Sequence, residues 1–502
     1  MTRVIDLATP AGVTLALLPE LLLSAGAMVV LLALSWRHQT AEDSRRAGYL
    51  SLASLALATV GLGYLWASGA APAGAPLMVA LDRFRYVADG LILVAATATI
   101  LLSLRYLERE ALLAPEYYVL LLLATVGLMF MVGAQDLVVL FLGLETMSVA
   151  VYVLAGYDRR NPYSSEAGLK YFLIGAFASG FLLYGIALAY GASGTTNLVA
   201  IGGRLAGGPV PLMASLGLGL LLIGLGFKVA AVPFHMWTPD VYDGAPTPVT
   251  GFMAAAVKAA AFVALTRLLL ECFPDAASQW QPVVWVLAIA TMAIGNFVAL
   301  SERQIKRMLA YSSVAHAGYL LAALWPATHL ALSALMLYLL AYAVTTLATF
   351  GLLAALGRQG EREVTLDSVA GLATTRPWMA GAFAVCLLSL LGFPGTLGFI
   401  GKWYILSSLL AVHQVSLAIL LVLASVLSAG YYLPVIMAMY MKPVPVPLAH
   451  RETVLPATAA LAIGVSVAAV LVFGLLPQSV LDLAGQSASA LLQAGGRAIA
   501  GP

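Results

Sequence analysis

Charge is what this sequence has least of. Asp, Glu, Lys and Arg make up 10% of its 502 residues, where soluble domains carry about a quarter. The net charge is only +2, and no basic patch points to nucleic acid. Cysteine is nearly absent as well. Cys272 and Cys386 are far apart, with no CxxC or CxxCH pairing around either, and read as small buried apolar residues rather than ligands. The six histidines are too scattered to hold a haem between two axial ligands. No glycine-rich phosphate loop lies between a strand and a helix. The chain is therefore expected to hold no cofactor, carry out no redox chemistry and hydrolyse no nucleotide by itself.

What is there is hydrophobic sequence, 62% of the chain with a mean hydropathy of +0.97. A bilayer core needs about 20 apolar residues per helix. On that measure the sequence predicts an all-α polytopic membrane protein with about fourteen transmembrane spans, near 13–34, 48–66, 87–104, 117–132, 136–157, 167–191, 211–233, 247–271, 282–300, 308–325, 330–356, 379–410, 416–441 and 455–476. The start, Met1-Thr-Arg-Val-Ile-Asp6, lacks the charged region and cleavage site of a signal peptide, so the first span is expected to be retained.

Alternate loops carry Arg37, Arg45, Arg46, Arg105, Arg109, Arg159, Arg160, Arg303, Lys306, Arg307, Arg358, Arg362, Arg376, Lys442 and Arg451, and the opposite loops only Arg3, Arg83, Arg85, Arg204 and Arg497. Fifteen cations against five is a positive-inside bias that puts both termini on the outer face.

A few charges fall inside the spans. Lys228, Lys258, Lys402 and Glu145 each interrupt an apolar run. Each costs about 2.5 to 3.5 kcal/mol at mid-membrane on insertion scales, so a protein that keeps them is expected to move charge, protons first. Gly224, Gly226 and Pro233 flank Lys228 in span seven, and Gly392, Pro394, Gly395, Gly398 and Gly401 precede Lys402 in span twelve. Glycine and proline at corresponding spans point to broken helices in two repeats. The breaks are five spans apart, which implies two five-helix units of opposite orientation. The implied division is accessory helices one to three over 1–115, a first unit over 116–275, a second, inverted unit over 276–442, and a final helix and tail over 443–502.

The wording of these segments is also specific. Phe227-Lys-Val-Ala-Ala-Val-Pro-Phe-His-Met-Trp-Thr-Pro-Asp-Val-Tyr-Asp-Gly-Ala-Pro-Thr-Pro-Val-Thr250, Glu302-Arg-Gln-Ile-Lys-Arg-Met-Leu-Ala-Tyr-Ser-Ser-Val-Ala-His-Ala-Gly-Tyr319 and Gly398-Phe-Ile-Gly-Lys-Trp-Tyr404 closely resemble the subunit N family of bacterial respiratory complex I. These antiporter-like membrane subunits are related to Mrp-type sodium/proton antiporters and membrane-bound hydrogenases. Lysine rather than glutamate at 402 departs from the subunit M pattern, and Phe393-Pro394-Gly395 stands where relatives often have a double proline.

The resemblance implies a proton-translocating subunit of an NADH:quinone oxidoreductase in the bacterial inner membrane. It would be driven by quinone chemistry in other subunits, where NAD, FMN, iron–sulfur clusters and quinone are expected. Subunits M and K are the expected neighbours, along with lipid. The alternatives are a sodium/proton antiporter subunit, an ion-pumping subunit of a membrane-bound hydrogenase, and a non-conducting scaffold. Buried charge argues against the scaffold.

The site residues expected are Glu145, Lys228, Lys258 and Lys402 for proton transfer, with His235, His316 and Lys170 as relay candidates. A carboxylate near an ammonium favours its charged form, and moving the carboxylate away favours release; Glu145 is the expected partner of Lys228. Histidine titrates between pH 5 and 8 and can donate at one nitrogen while accepting at the other. Lys170, one turn after Glu166, is equally explained as a surface ion pair. Thr146, Ser148, Tyr311, Ser312, Ser313 and Tyr319 could support water chains. Arg267 with Glu271 reads as an interfacial pair, and Lys306 and Arg307 as inner-surface anchors.

Overall fold

The computed structural model describes all residues except 1–3, 7–8, 35–39, 70, 74–77, 114, 358–363, 445–454 and 495–502. Arg3, Arg37, His38, Arg358, Arg362, His450, Arg451 and Arg497 lie outside the described residues. Helices account for nearly everything else, as lipid demands of a chain whose backbone groups must be satisfied internally. Among the described residues there is one sheet, a parallel pair of three-residue strands, β1 (Val4–Asp6) and β2 (Ala71–Ala73).

The chain opens with α1 (Pro10–Ala16) and α2 (Leu18–Leu34), bent by 77° where they meet. It continues through α3 (Ala41–Ser68), α4 (Arg83–Arg109), α5 (Glu116–Gly133), α6 (Leu137–Ala155), α7 (Pro162–Ser193) and the short α8 (Leu198–Leu205). Next come α9 (Leu212–Val229), α10 (Thr238–Gly244), α11 (Thr247–Phe252) and α12 (Lys258–Arg267). The last two form one rod, joined by a π-helical turn at Met253–Val257 and prolonged by another at Leu268–Cys272. Then follow α13 (Ala277–Ser301), α14 (Ile305–Leu324), α15 (His329–Leu356), α16 (Leu372–Thr375), α17 (Pro377–Leu391), α18 (Leu397–Ala411), α19 (Val415–Met441), α20 (Ala457–Leu475) and α21 (Gln478–Ala494).

Eleven of these helices are long and apolar enough to cross a membrane, twelve if the bent α1–α2 pair counts as one span. Length and apolarity alone therefore do not reach fourteen. The two remaining expected spans fall on α14, which carries Lys306, Arg307 and His316, and on α17 with α18, each too short alone. The α11–α12 rod and α15 are the most enclosed and form the centre, with α4, α17, α18, α20 and α21 packed on α15.

Between neighbours the closest approaches run over glycine. A Cβ on Gly127 would come 2.7 Å from the Gly143 carbonyl, and one on Gly143 2.8 Å from the Gly127 carbonyl, so α5 and α6 meet backbone to backbone. Gly295 and Gly318 do the same for α13 and α14, facing Ala315 and Met292 backbone nitrogens at 2.5 and 2.6 Å. Small residues at such crossings are what holds helices together where no hydrophobic driving force acts.

Two expectations about surface charge are corrected. Arg85 is not a loop cation but fully buried, and Arg267 with Glu271 is buried too, not interfacial. In both cases charges on other elements neutralise the group, which a single helix does not reveal. Lys306 is likewise largely enclosed and donates to the Ala245 carbonyl at 2.6 Å.

Candidate functional site: a line of buried lysines between two broken helices

The first break follows Val229. Ala230 adopts a left-handed conformation (φ 61°) that stops α9, and the freed Val232 N–H donates to the Thr291 hydroxyl at 3.0 Å. The second follows Leu391, where Gly392 (φ 90°) ends α17 and the Gly398 N–H donates to Ser389 Oγ at 3.2 Å. The Phe393-Pro394-Gly395 wording lies within this gap.

Lys228 lies in the last turn of α9, 3% exposed. Its ammonium donates to Ser148 Oγ at 2.8 Å and to the Tyr152 hydroxyl at 3.2 Å, both on α6. The rings of Tyr152, Tyr171 and Phe227 lie 5.1 to 5.4 Å from it, close enough for cation–π attraction. Trp237 covers this pocket, stacked on Tyr171 at 4.3 Å and donating from Nε1 to the Phe227 carbonyl at 3.1 Å.

Glu145 sits one turn before Ser148 on α6. It does not touch Lys228; it accepts a hydrogen bond from Ser179 of α7. It is only partly buried, on a face with Leu142 and Val149 exposed.

Lys258 begins α12 directly after the π-helical turn, a local widening that often marks functional positions. Its ammonium donates to both the carbonyl and the hydroxyl of Ser313 on α14, and lies 5.4 Å over the Tyr342 ring. His316, one turn further along α14, is 4.9 Å from the same ring, centre to centre. Its Nδ1 shares a hydrogen bond of 2.6 Å with Tyr338 and its Nε2 one of 3.2 Å with Tyr432, which is also bonded to Ser312. Tyr319 stands edge-on to His316 and face-on to Lys402, whose ammonium lies 4.6 Å above its ring. Lys402 in turn donates at 3.0 Å to the carbonyls of both Leu390 and Leu391. These are unpaired acceptors at the end of α17, where the helix dipole also favours a cation.

The structure thus brings Lys258, His316 and Lys402 into one aromatic-lined line. Lys228, held by Ser148 and Tyr152, lies apart from it, and no hydrogen bond among the described residues joins Lys228 to Lys258. The partners of all three lysines are hydroxyls and carbonyls, with no carboxylate among them.

His235 and Lys170 stand outside the line. His235, past the first break, is half-buried, and burial holds its imidazole below the usual range despite a bond to the Pro233 backbone. Lys170 belongs to a surface network: it pairs with Glu166 and, at 2.9 Å, with Asp240, which also receives Arg307 at 2.9 Å, while Arg307 reaches Glu302 at 3.1 Å. Sequence reasoning missed Asp240 as the hub of that network, and missed Tyr152, Tyr338, Tyr342 and Tyr432 as partners of the buried groups. Tyrosine is common in membrane helices, so only the fold separates these from the rest.

The family model described as NADH:quinone oxidoreductase/Mrp antiporter, transmembrane, matches residues 134–428. The chain is 46% identical over 495 residues to NADH-quinone oxidoreductase subunit N of Gemmatimonas aurantiaca, covering 95% of this chain and 94% of that one. It is 43% identical over 475 residues to the subunit N of Trichlorobacter lovleyi, covering 94% and 96%. Its fold superposes with a TM-score of 0.77 on a chain of respiratory complex I from Thermus thermophilus, solved with bound aureothin, at 35% identity over 94% of this chain and 99% of that one. With the break motifs, the lysines and the lysine rather than glutamate at 402 all in place, the chain belongs to the subunit N family of antiporter-like membrane subunits of NADH:quinone oxidoreductase.

Proposed function

We propose that this chain translocates protons across the bacterial inner membrane as a membrane-arm subunit of NADH:quinone oxidoreductase, driven by quinone reduction in other subunits that carry the NAD, FMN, iron–sulfur and quinone sites. The observation that carries the reading is the line itself. Two ammonium groups and one imidazole, those of Lys258, Lys402 and His316, are enclosed in it, with the Lys228 ammonium set apart beside the first break, and each is held by neutral hydroxyls or carbonyls rather than by a carboxylate. Such groups are costly in a membrane unless they work.

The two-unit organisation, 116–275 and 276–442, is supported by the matching of their parts. The glycine-to-glycine crossing of α5 with α6 recurs between α13 and α14, and the break after α9 recurs after α17. In inverted units the two half-channels open to opposite faces. Lys228, with Glu145 modulating it, is the loading station from inside, Lys258 and His316 carry charge across the middle, and Lys402 releases outward. Glu145 on its apolar, partly exposed face suits a neighbouring subunit rather than lipid; M and K are the expected neighbours.

The test is proton pumping per electron in membranes containing fully assembled complex. Glu145→Gln and Lys402→Met should each lower the ratio by this subunit's share without loss of assembly. Lys402→Arg should fail as well, because arginine keeps its proton. An unchanged ratio in these variants at full abundance defeats the assignment.

A further inference from the structure

At the opposite end of α12 from Lys258, six charged side chains meet in the interior. The Arg85 guanidinium of α4 donates to Glu20 of α2 and, at 3.1 Å, to Asp89 one turn along its own helix. The side chains of all three are at most 1% exposed. Arg267 repeats the arrangement, donating to both oxygens of Asp82 at 2.9 and 3.1 Å and to Glu271 at 2.8 Å. The triads are joined, since Asp82 also accepts the Arg85 backbone N–H at 2.8 Å as the cap of α4.

Each triad sets two carboxylates against one guanidinium. Fully ionised, the joined site would set four negative charges, three of them buried and that of Asp82 12% exposed, against two positive ones, and an uncompensated charge taken out of water is among the costliest things a fold can hold. The hydrogen bonding agrees that it does not. Glu20 Oε2, Asp89 Oδ1 and Glu271 Oε2 accept nothing from any described residue, whereas a buried ionised carboxylate ordinarily fills its lone pairs with donors. The Tyr86 hydroxyl, beside the same charges, is also buried and unpartnered. A metal ion does not fit as the balancing charge, because no three carboxylates, histidines or cysteines among the described residues converge as a cage.

We propose that the joined triads are a proton-binding site, one hydrogen ion held within Glu20–Arg85–Asp89 and one within Asp82–Arg267–Glu271, so that each triad is neutral. The proton comes from water and sits as an O–H on one carboxyl of each triad, leaving the other to pair with the guanidinium. The site lies apart from the lysine line, and its occupancy does not depend on that line conducting.

The test is infrared difference spectroscopy of the assembled complex in lipid vesicles at neutral pH, in water and in deuterium oxide. Asp89→Asn and Glu271→Gln each leave one carboxylate per guanidinium, so each should lose one deuterium-sensitive protonated-carboxyl band while keeping wild-type abundance. Arg85→Gln, if it assembles, should gain a band. Unchanged acid bands in both amide variants overturn the proposal, because all four carboxylates are then ionised. Failure of the amide variants to accumulate also counts against it, since the surplus carboxylate would then be needed as a charge. Removal of the band by sodium but not by choline would identify a metal cation as the occupant, and equally overturns it.

Discussion

At the scale of single residues, the lysines were legible because an ammonium in an apolar run has no cheap explanation, whereas the groups that hold them were not. Ser148, Ser313 and Ser312 could be shortlisted as hydroxyls near the charges; that Ser148 and Ser313 receive the lysines, while Ser312 meets Tyr432, is a matter of helix rotation that no spacing encodes. Lys170 shows the converse. Its i,i+4 partner Glu166 was visible, but its second partner, Asp240 on a different element, which also receives Arg307, was not. Burial opposes ionisation of Asp240, yet the hydrogen bonds from Lys170 and Arg307 outweigh it and hold the carboxyl below the usual carboxylate range. A depressed carboxylate contributes stability that is fully present above its unfolded value, about 3.9, and is lost as pH falls through the folded one. Asp240→Asn should therefore lower the thermal midpoint of the solubilised protein at neutral pH by roughly one to a few degrees, as befits a half-exposed pair. The gap between variant and wild type should close below about pH 4. A gap that is the same at all pH values would mean that the ion pairs contribute nothing.

At the scale of elements, the breaks were predicted from glycine and proline, and their consequences show how far that reaches. Gly392 could be expected to matter, but the left-handed backbone at Ala230 could not, because alanine gives no sign of it. The π-helical turn that sets Lys258 opposite Ser313 is equally silent in an alanine-rich segment. The two breaks should respond in opposite ways to substitution. A Cβ at Gly392 would sit 2.9 Å from Lys402 Cδ and adopt a left-handed φ of 90°, which costs an L-residue roughly 1–2 kcal/mol before the clash is counted. Gly392→Ala should thus push Lys402 off the Leu390 and Leu391 carbonyls and depress pumping while the complex still assembles. Ala230→Gly relieves the same strain but adds about 0.5–1 kcal/mol of unfolded-state entropy, so its thermal midpoint should stay within a degree or two of wild type. Thermal melts of both variants, with pumping ratios alongside, decide the matter; equal tolerance at the two positions would show that the second break does not position its lysine.

At the scale of the whole molecule, helical class and the positions of most spans followed from hydropathy, because lipid leaves a long apolar segment few alternatives. Charge placement was harder. Arg85 was counted as a loop cation because it falls just before a span; Asp89 is one turn along its own helix, but Glu20 becomes its partner only when α2 packs near α4. The orientation argument keeps its sign when the buried Arg85 and Lys306 are both removed, since fourteen inner cations then face four outer ones. It can be checked directly. The native Cys272 and Cys386 are both buried, so a surface thiol reagent should meet little background. Gly208, between α7 and α9, has open space where a side chain would stand, and Gln493 near the end of α21 is exposed, as is Ser301 at the end of α13. On the proposed orientation, single cysteines at 208 and 493 should react with a membrane-impermeant maleimide applied from the outer face, and one at 301 should react only after the membrane is opened. The same orientation fixes which lysine faces out. Labelling of 301 from outside, with 208 protected, would reverse the topology and exchange the loading and releasing roles of Lys228 and Lys402.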